Sequence, residues 1–460
     1  MRRVWILAVV LVLLAPGCAK KRQSQIEADV TRPPEKWLAI EPVRLLRDYV
    51  RIDTTAEQGE EEGAKFLRPI FDCVGIETQI VCPLPKRCNL IARLPGRSRR
   101  GTLLLLNHLD VAPVAGQPWQ ESTPFEGKIK GGYLYGRGAY DMKSLALAQA
   151  LAMRSLKLHG IVPASDILFI GEAGEETGQK WGIRWILENR PDELAGVENV
   201  LNEGGLVEVI LRDVRFFGVE TVQAGYAEGE FESTAAARLE KLARKWSKLH
   251  SPAVEPDPQV RIGFDLMANH LVSPLTDPLR HLDRVLRNPA ELASLPDRYG
   301  CFLEARIFWS KAPYRLAGNE GKFGDFTAIS VPPGMDPGNF LRPILEDAAA
   351  AGVRVIRTFS SGAAVASPYP TLFTETLRRV SEAHFPGVHF GPAPTAGGYT
   401  TSTLLRQRGF STYGFSPIPM NITDAVRRHW TNERVYLRDY LTGVEAFEDV
   451  LEEFALPPRN

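Results

Sequence analysis

A chain of 460 residues, 44% of them hydrophobic, can bury a large core and exceeds what one domain usually holds, so two domains are expected. Lys plus Arg and Asp plus Glu both number 55, which excludes a global field drawing in nucleic acid or an anionic membrane surface. No internal repeat or low-complexity tract is evident.

At the N-terminus, Arg2 and Arg3 precede an apolar run over residues 4–15, too short to span a bilayer but of the length of a signal h-region. The run closes in Leu14-Ala15-Pro16-Gly17-Cys18, which resembles a bacterial lipobox. Residues 1–17 therefore read as a signal peptide, Cys18 as the lipidated residue, and the polar, proline-ended stretch 18–35 as a tether. Plain secretion and an uncleaved anchor are the competing readings. The expected location is the periplasmic or outer face of a bacterial membrane, reached through the lipid anchor only. Export permits disulfides, and Cys82 and Cys88 flank a turn sequence, Pro83-Leu84-Pro85, that would bring them together. No CxxC pair suggests a thiolate zinc site.

Apolar residues recur at helical spacing over 37–49, and 76–81 with 89–94 read as paired strands. The unbroken apolar run 102–106 has the pattern of a strand buried on both faces of a parallel α/β sheet. Asn107, His108 and Asp110 follow at its C-terminal end, where such sheets place their ligands. A glycine-punctuated hairpin or loop is predicted over 131–138, a helix over 142–159 stopped by Gly160, and a second buried strand over 167–170. The loop 171–178 then leads into a helix through Trp185, and Val200-Leu201 is a short strand ending at Asn202-Glu203. Strand, polar end and helix in repetition is the α/β signature. From about Phe216 to Ser361 the pattern changes to a charged helix over 234–249, a Pro-rich break and irregular stretches. Beyond it, 372–384 is helical, Gly397-Gly398 a tight loop, 412–415 strand-like, and 434–454 an amphipathic closing helix. The body is thus read in two parts, 36–215 and 362–460, around an inserted domain, 216–361.

Taken alone, Asp141 at a helix entrance reads as a cap. His108 and Asp110, two apart on an extended chain, share a face, a spacing that suits a histidine ligand oriented by a carboxylate. Adjacent Glu175 and Glu176 hold two like charges together with no evident basic partner, and a cation would remove that cost.

The segments NHLDVAPV, PFEGKIKGGYLYGRGAYDMK, GEAGEETG, NEGG and HWTNERV together resemble the dizinc metallopeptidases that include aminoacylase, carboxypeptidase S, glutamate carboxypeptidase, carnosinase and succinyl-diaminopimelate desuccinylase. Their wording is most similar to the carboxypeptidase S and N-acyl-amino-acid hydrolase branch. The resemblance implies a zinc-exopeptidase-like α/β domain with a mixed, largely parallel sheet and an inserted α+β lid or dimerisation domain. It implies that Asp141 bridges two metals, with His108 and Glu203 completing one site and Glu176 and His429 the other. Asp110 would orient a ligand histidine, and Glu175 would be the general base acting on metal-activated water. Mixed His and carboxylate ligation suits two zinc ions and admits manganese or cobalt.

The chain departs from that family in the insert and again over 397–402. A Gly-His-x-Ser segment, whose His stabilises the oxyanion of a partner subunit's site, corresponds here to Gly229-Glu230-Phe231-Glu232-Ser233, without His. His270 is the candidate replacement for an oxyanion or substrate contact. Asp-x-Arg is replaced by Ala328-Ile329-Ser330, and Gly-Gly-Thr-Asp-x-Arg by Gly397-Gly398-Tyr399-Thr400-Thr401-Ser402. The expected function is metal-dependent hydrolysis of an amide bond in a short peptide or N-acyl amino acid, with a homodimer formed through the insert. The alternative is a metal-binding, weakly active or inactive relative that serves as a binding or scaffold lipoprotein.

Overall fold

In the strand Thr102–His108 every residue is buried, and successive leucines point to opposite faces of a six-stranded sheet. Leu103 and Leu105 pack with the helices Glu41–Val50, Glu61–Asp72, Lys143–Leu158 and Leu437–Ala455 in one core. Leu104 and Leu106 pack against Ile183–Asn189 and Thr401–Gln407 on the other side. Cover on both faces is what permits an unbroken apolar strand. Ile167–Glu172 and Val197–Asn202 flank this strand in parallel, and Ser411–Gly414 extends the parallel set. The hairpin Glu77–Leu84 with Arg87–Leu94 closes the other edge in antiparallel fashion. The sheet is therefore mixed and largely parallel, as expected.

This computed structural model describes residues 27–210, 213–249, 251–269, 275–310, 312–316 and 321–456. The signal-peptide reading, Cys18 and His270 lie outside the described residues. Among those described, no helix is long and apolar enough to cross a membrane. Asp29, inside the stretch read as a tether, is buried and accepts hydrogen bonds from Tyr436 and Arg438, which docks this segment on the closing helix.

Within 225–360 a second, antiparallel sheet is formed by Arg306–Trp309, Phe323–Val331, Gly225–Ser233 and Arg354–Ser360, in that order. Ala227, Phe231, Ile329 and Val331 face the helices Ala236–Trp246 and Gly338–Ala350 in a core of their own. Asp213–Val219 belongs to neither sheet: it pairs with Leu206–Ile210 and, in parallel, with His389–Pro392. A disulfide joins Cys82 and Cys88 across the edge hairpin.

Three elements differ from the periodicity. The helix expected over 37–49 is two helices, Pro34–Leu38 and Glu41–Val50, because Pro42 starts the second and its missing N–H cannot continue the first. The closing helix begins at Leu437, since Arg434–Tyr436 extends the hairpin Lys128–Lys130 with Tyr133–Tyr135 as a third strand. The helix read through Trp185 begins only at Ile183, whose N–H is taken by the buried Glu172 carboxylate. Gly182 is required there, because a Cβ would lie 2.3 Å from Glu172 Oε2.

Candidate metal centre

The three parallel strands end on the same side, and their polar ends converge. His108 closes its strand, Glu172 the next, and Glu203 follows Val197–Asn202. Asp141 lies just before the helix Lys143–Leu158, after which the peptide bond to Met142 is cis. His429 arrives from the far end of the chain, on the loop after the short helix Ile422–Ala425.

Among the described residues, two groups of three can offer ligand atoms lying within 4.8 Å of one another: His108, Asp141 and Glu203, and Asp141, Glu176 and His429. Asp141 belongs to both. Its Oδ1 is 3.2 Å from His108 Nε2, and its Oδ2 is 3.0 Å from His429 Nε2. Glu203 Oε1 is 3.8 Å from His108 Nε2, and Glu176 Oε1 is 3.0 Å from His429 Nε2. That last oxygen is buried yet makes no hydrogen bond, so the imidazole and carboxylate converge without satisfying each other. Two imidazoles and three carboxylates, one of them shared, fit a pair of divalent cations of the zinc type.

The ligand atoms are oriented from behind. His108 Nδ1 is 2.9 Å from the main-chain carbonyl of Asp110; a carbonyl only accepts, so Nδ1 carries a proton and Nε2 is the nitrogen turned to the cluster, where without metal it donates to Asp141. The Asp110 carboxylate, 3.5 Å from the same nitrogen, accepts instead from the N–H groups of Glu175 and Glu176, at 3.1 and 3.0 Å. One residue thereby holds His108 with its backbone and the two glutamates with its side chain. Glu175 itself accepts from Gln179 Nε2.

Crowding of acids shifts the titrating groups. Burial, then the charge of Asp141, pushes Glu203 up to about 8. Burial and the charges of Glu203 and Glu176 raise the Glu175 carboxyl well above its ordinary value. Burial opposes charge on His108 and on His429, but the facing carboxylates outweigh it and raise both imidazoles, His429 to about 10. Burial alone would raise Asp141, yet hydrogen bonds from the two histidines hold it well below the carboxylate range.

Sequence reasoning missed three supporting residues, Glu433, Arg137 and Glu172. Glu433 is buried, pairs with the buried Arg137 at 2.6 Å, and accepts from the N–H groups of Tyr140 and Asp141. Arg137 also donates to the carbonyls of Ala112, Pro113 and Trp430, tying three loops together. Glu172, pushed up to about 7 mainly by burial, accepts from Thr401 Oγ1, to which Asn202 Nδ2 also donates. The Thr400–Ser402 stretch is thus hydrogen-bonded into the floor. The signals for Glu433 and Arg137 were present in the NERV and GRG wording, but nothing in a sequence marks such charges as buried. In the insert, the Glu230 carboxylate is taken by Arg357.

Fold and site define an α/β protein with a two-lobed ligand cluster sharing one carboxylate. The chain belongs to the peptidase family M20/M25/M40, whose profile matches residues 104–453. It is 31% identical over 140 residues to a Staphylococcus aureus protein named "Probable succinyl-diaminopimelate desuccinylase", covering 30% of this chain and 34% of that one. It is 30% identical over 212 residues to aminoacylase-1 of Sus scrofa, covering 44% and 52% respectively. The chain therefore spans about a third to a half of the length of these curated relatives. The fold is similar to that of an M20 family metallo-carboxypeptidase from Sulfolobus solfataricus, with a TM-score of 0.69 and 16% identity over 90% of this chain and 99% of that one.

Proposed function

We propose that this protein is a metal-dependent hydrolase that cleaves an amide bond in a short peptide or N-acyl amino acid. The observation that carries the reading is the shared Asp141 carboxylate, flanked by His108 with Glu203 and by His429 with Glu176, with Glu175 beside them. Membership of a peptidase family and similarity to aminoacylase-1 support the substrate class.

Two divalent cations, when bound, would polarise a scissile carbonyl and make water acidic enough to attack it. Glu175 is the general base: it takes a proton from the attacking water and delivers it to the leaving amine nitrogen. Asp110 keeps the Glu175 and Glu176 peptides in register, and Glu433 does the same for Asp141. Residues 216–361 act as the lid over the cleft and as the dimerisation surface. Export with a lipid on Cys18 completes the proposal, and a Cys18→Ser variant is then expected to leave the membrane fraction.

A second reading, a metal-loaded binding or scaffold protein without turnover, draws support from one feature of the insert. The strand Gly225–Ser233 carries Glu230, paired with Arg357, where the resemblance drawn from the sequence implies a histidine. Zinc-loaded protein assayed against dipeptides and N-acyl amino acids, alongside Glu175→Gln, separates the two. Hydrolysis that falls about 10²–10⁴-fold in the variant is expected for the enzyme. Two retained zinc ions with no hydrolysis across the panel would favour the scaffold.

A further inference from the structure

The residue before His429 is an arginine whose hydrogen-bonding capacity is unused. Arg428 Nε lies 3.9 Å from Asp141 Oδ2, beyond hydrogen-bond range, and Asp141, Glu203, Glu176 and the Tyr140 phenol all act on its charge. Among the described residues, its guanidinium has no hydrogen-bond acceptor. Of the neighbouring arginines, Arg434 is bonded to Asp424 and Arg137 to Glu433, while Arg427 stands 3.8 Å from Asp424. Arg428 nevertheless remains 52% exposed, although it sits beside the buried cluster. It is a cation with five N–H donors, open to solvent at the mouth of the centre.

Arg428 therefore offers a charge and a set of unused donors to a ligand that brings a negative charge. A planar guanidinium matches a carboxylate through two parallel N–H···O bonds.

We propose that Arg428 is the substrate-anchoring residue, binding the free carboxylate of the amino-acid half of the substrate on the His429 and Glu176 side of the cluster. The proposal rests on the amide-hydrolase reading above and names the group that selects its substrates. The Thr400–Ser402 stretch does not supply that charge, because its hydroxyls are engaged with Glu172, Asn202 and Gln223.

The test is calorimetric titration of zinc-loaded protein carrying Glu175→Gln, so that nothing turns over, with Arg428 intact or changed to Lys or Gln. The probes are N-acetyl amino acids and dipeptides, each matched to its own C-terminal carboxamide, with zinc content checked in every variant. At least one acid is expected to bind more tightly than its carboxamide. Arg428→Gln is expected to weaken that acid about 10- to 100-fold and to change the carboxamide less than about twofold, with partial retention in Arg428→Lys. With Glu175 intact, the same substitution raises KM for the acid and leaves kcat in place. If no probe prefers its carboxylate form, or if acid and carboxamide weaken together, the proposal is overturned. A fall in kcat on both forms also overturns it, and would assign Arg428 to the transition state instead. Protein that binds probes but hydrolyses none defeats the enzyme reading while the binding arm still reports on Arg428.

Discussion

Glu433 Oε1 accepts the main-chain N–H of Asp141 at 3.1 Å, so the peptide that carries the shared carboxylate is fixed by a residue four places beyond His429. The same carboxylate is paired with Arg137, and both side chains are almost wholly buried. Removing the charge but keeping the shape should loosen Asp141 without emptying the space. Glu433→Gln is expected to weaken zinc binding about 10- to 100-fold in competition with a chelator. Affinity equal to wild type would show that Asp141 is positioned by other contacts.

Asp110 holds the Glu175 and Glu176 amides through two separate oxygens. In Asp110→Asn one oxygen becomes an NH₂ group, which cannot accept an N–H, so one of the two bonds is lost. A fall in kcat of about 10- to 100-fold is expected, with His108 still held through the Asp110 carbonyl. A rise in KM alone, with kcat intact, would argue against this role.

Metal uptake should release protons. Without metal, both histidines and Glu203 are held above their ordinary pKa values, so at pH 7 they retain protons that ligation must expel. Zinc titrations at pH 7 in buffers of different ionisation enthalpy should therefore show net proton release, and apparent affinity should rise with pH. Enthalpies independent of the buffer would contradict the protonation pattern.

The docking of the N-terminal segment should be acid-sensitive. Burial would raise the Asp29 pKa, but hydrogen bonds from Arg438 and Tyr436 overcome it and leave it below 3.8. Its stabilising contribution is then full above the unfolded value and is lost as pH falls through the folded one. Because Arg438 is 40% exposed, Asp29→Asn is expected to cost about 1 kcal/mol near pH 7 and much less near pH 3. Equal losses at both pH values, by denaturant unfolding, would rule out the ionic contribution.

Much of the body was legible because burial on both faces leaves a signature: the run Thr102–Leu106 could only be a covered strand. The candidate ligand set was legible as wording, since Asp141, Glu176 and Glu203 stand in glycine-bearing segments and His108 and His429 in the NHLD and HWTNERV segments, and the structure brings all five together. What the sequence hid was direction. Asp110 was read as orienting a histidine with its carboxylate; that carboxylate lies 3.5 Å from His108 Nδ1, but the Asp110 backbone carbonyl is nearer, at 2.9 Å, and the side chain also holds the Glu175 loop. Arg137 and Glu433 have the composition of solvated surface and form a buried pair, because each cancels the other's charge only after residues far apart in the chain have met. Local periodicity also misplaced Arg434–Tyr436, whose partner strand lies about three hundred residues away.

The centre is assembled from unequal portions of the chain: His108, Asp141 and Glu203 precede the second sheet, whereas His429 follows it. Four of the five candidate ligands come before the insert, and only His429 waits until it has passed. The strand Ser411–Gly414 and the helix Leu437–Ala455, which complete the sheet and its core, come equally late. The second group of ligand atoms is therefore completed by the same late segment that closes the body.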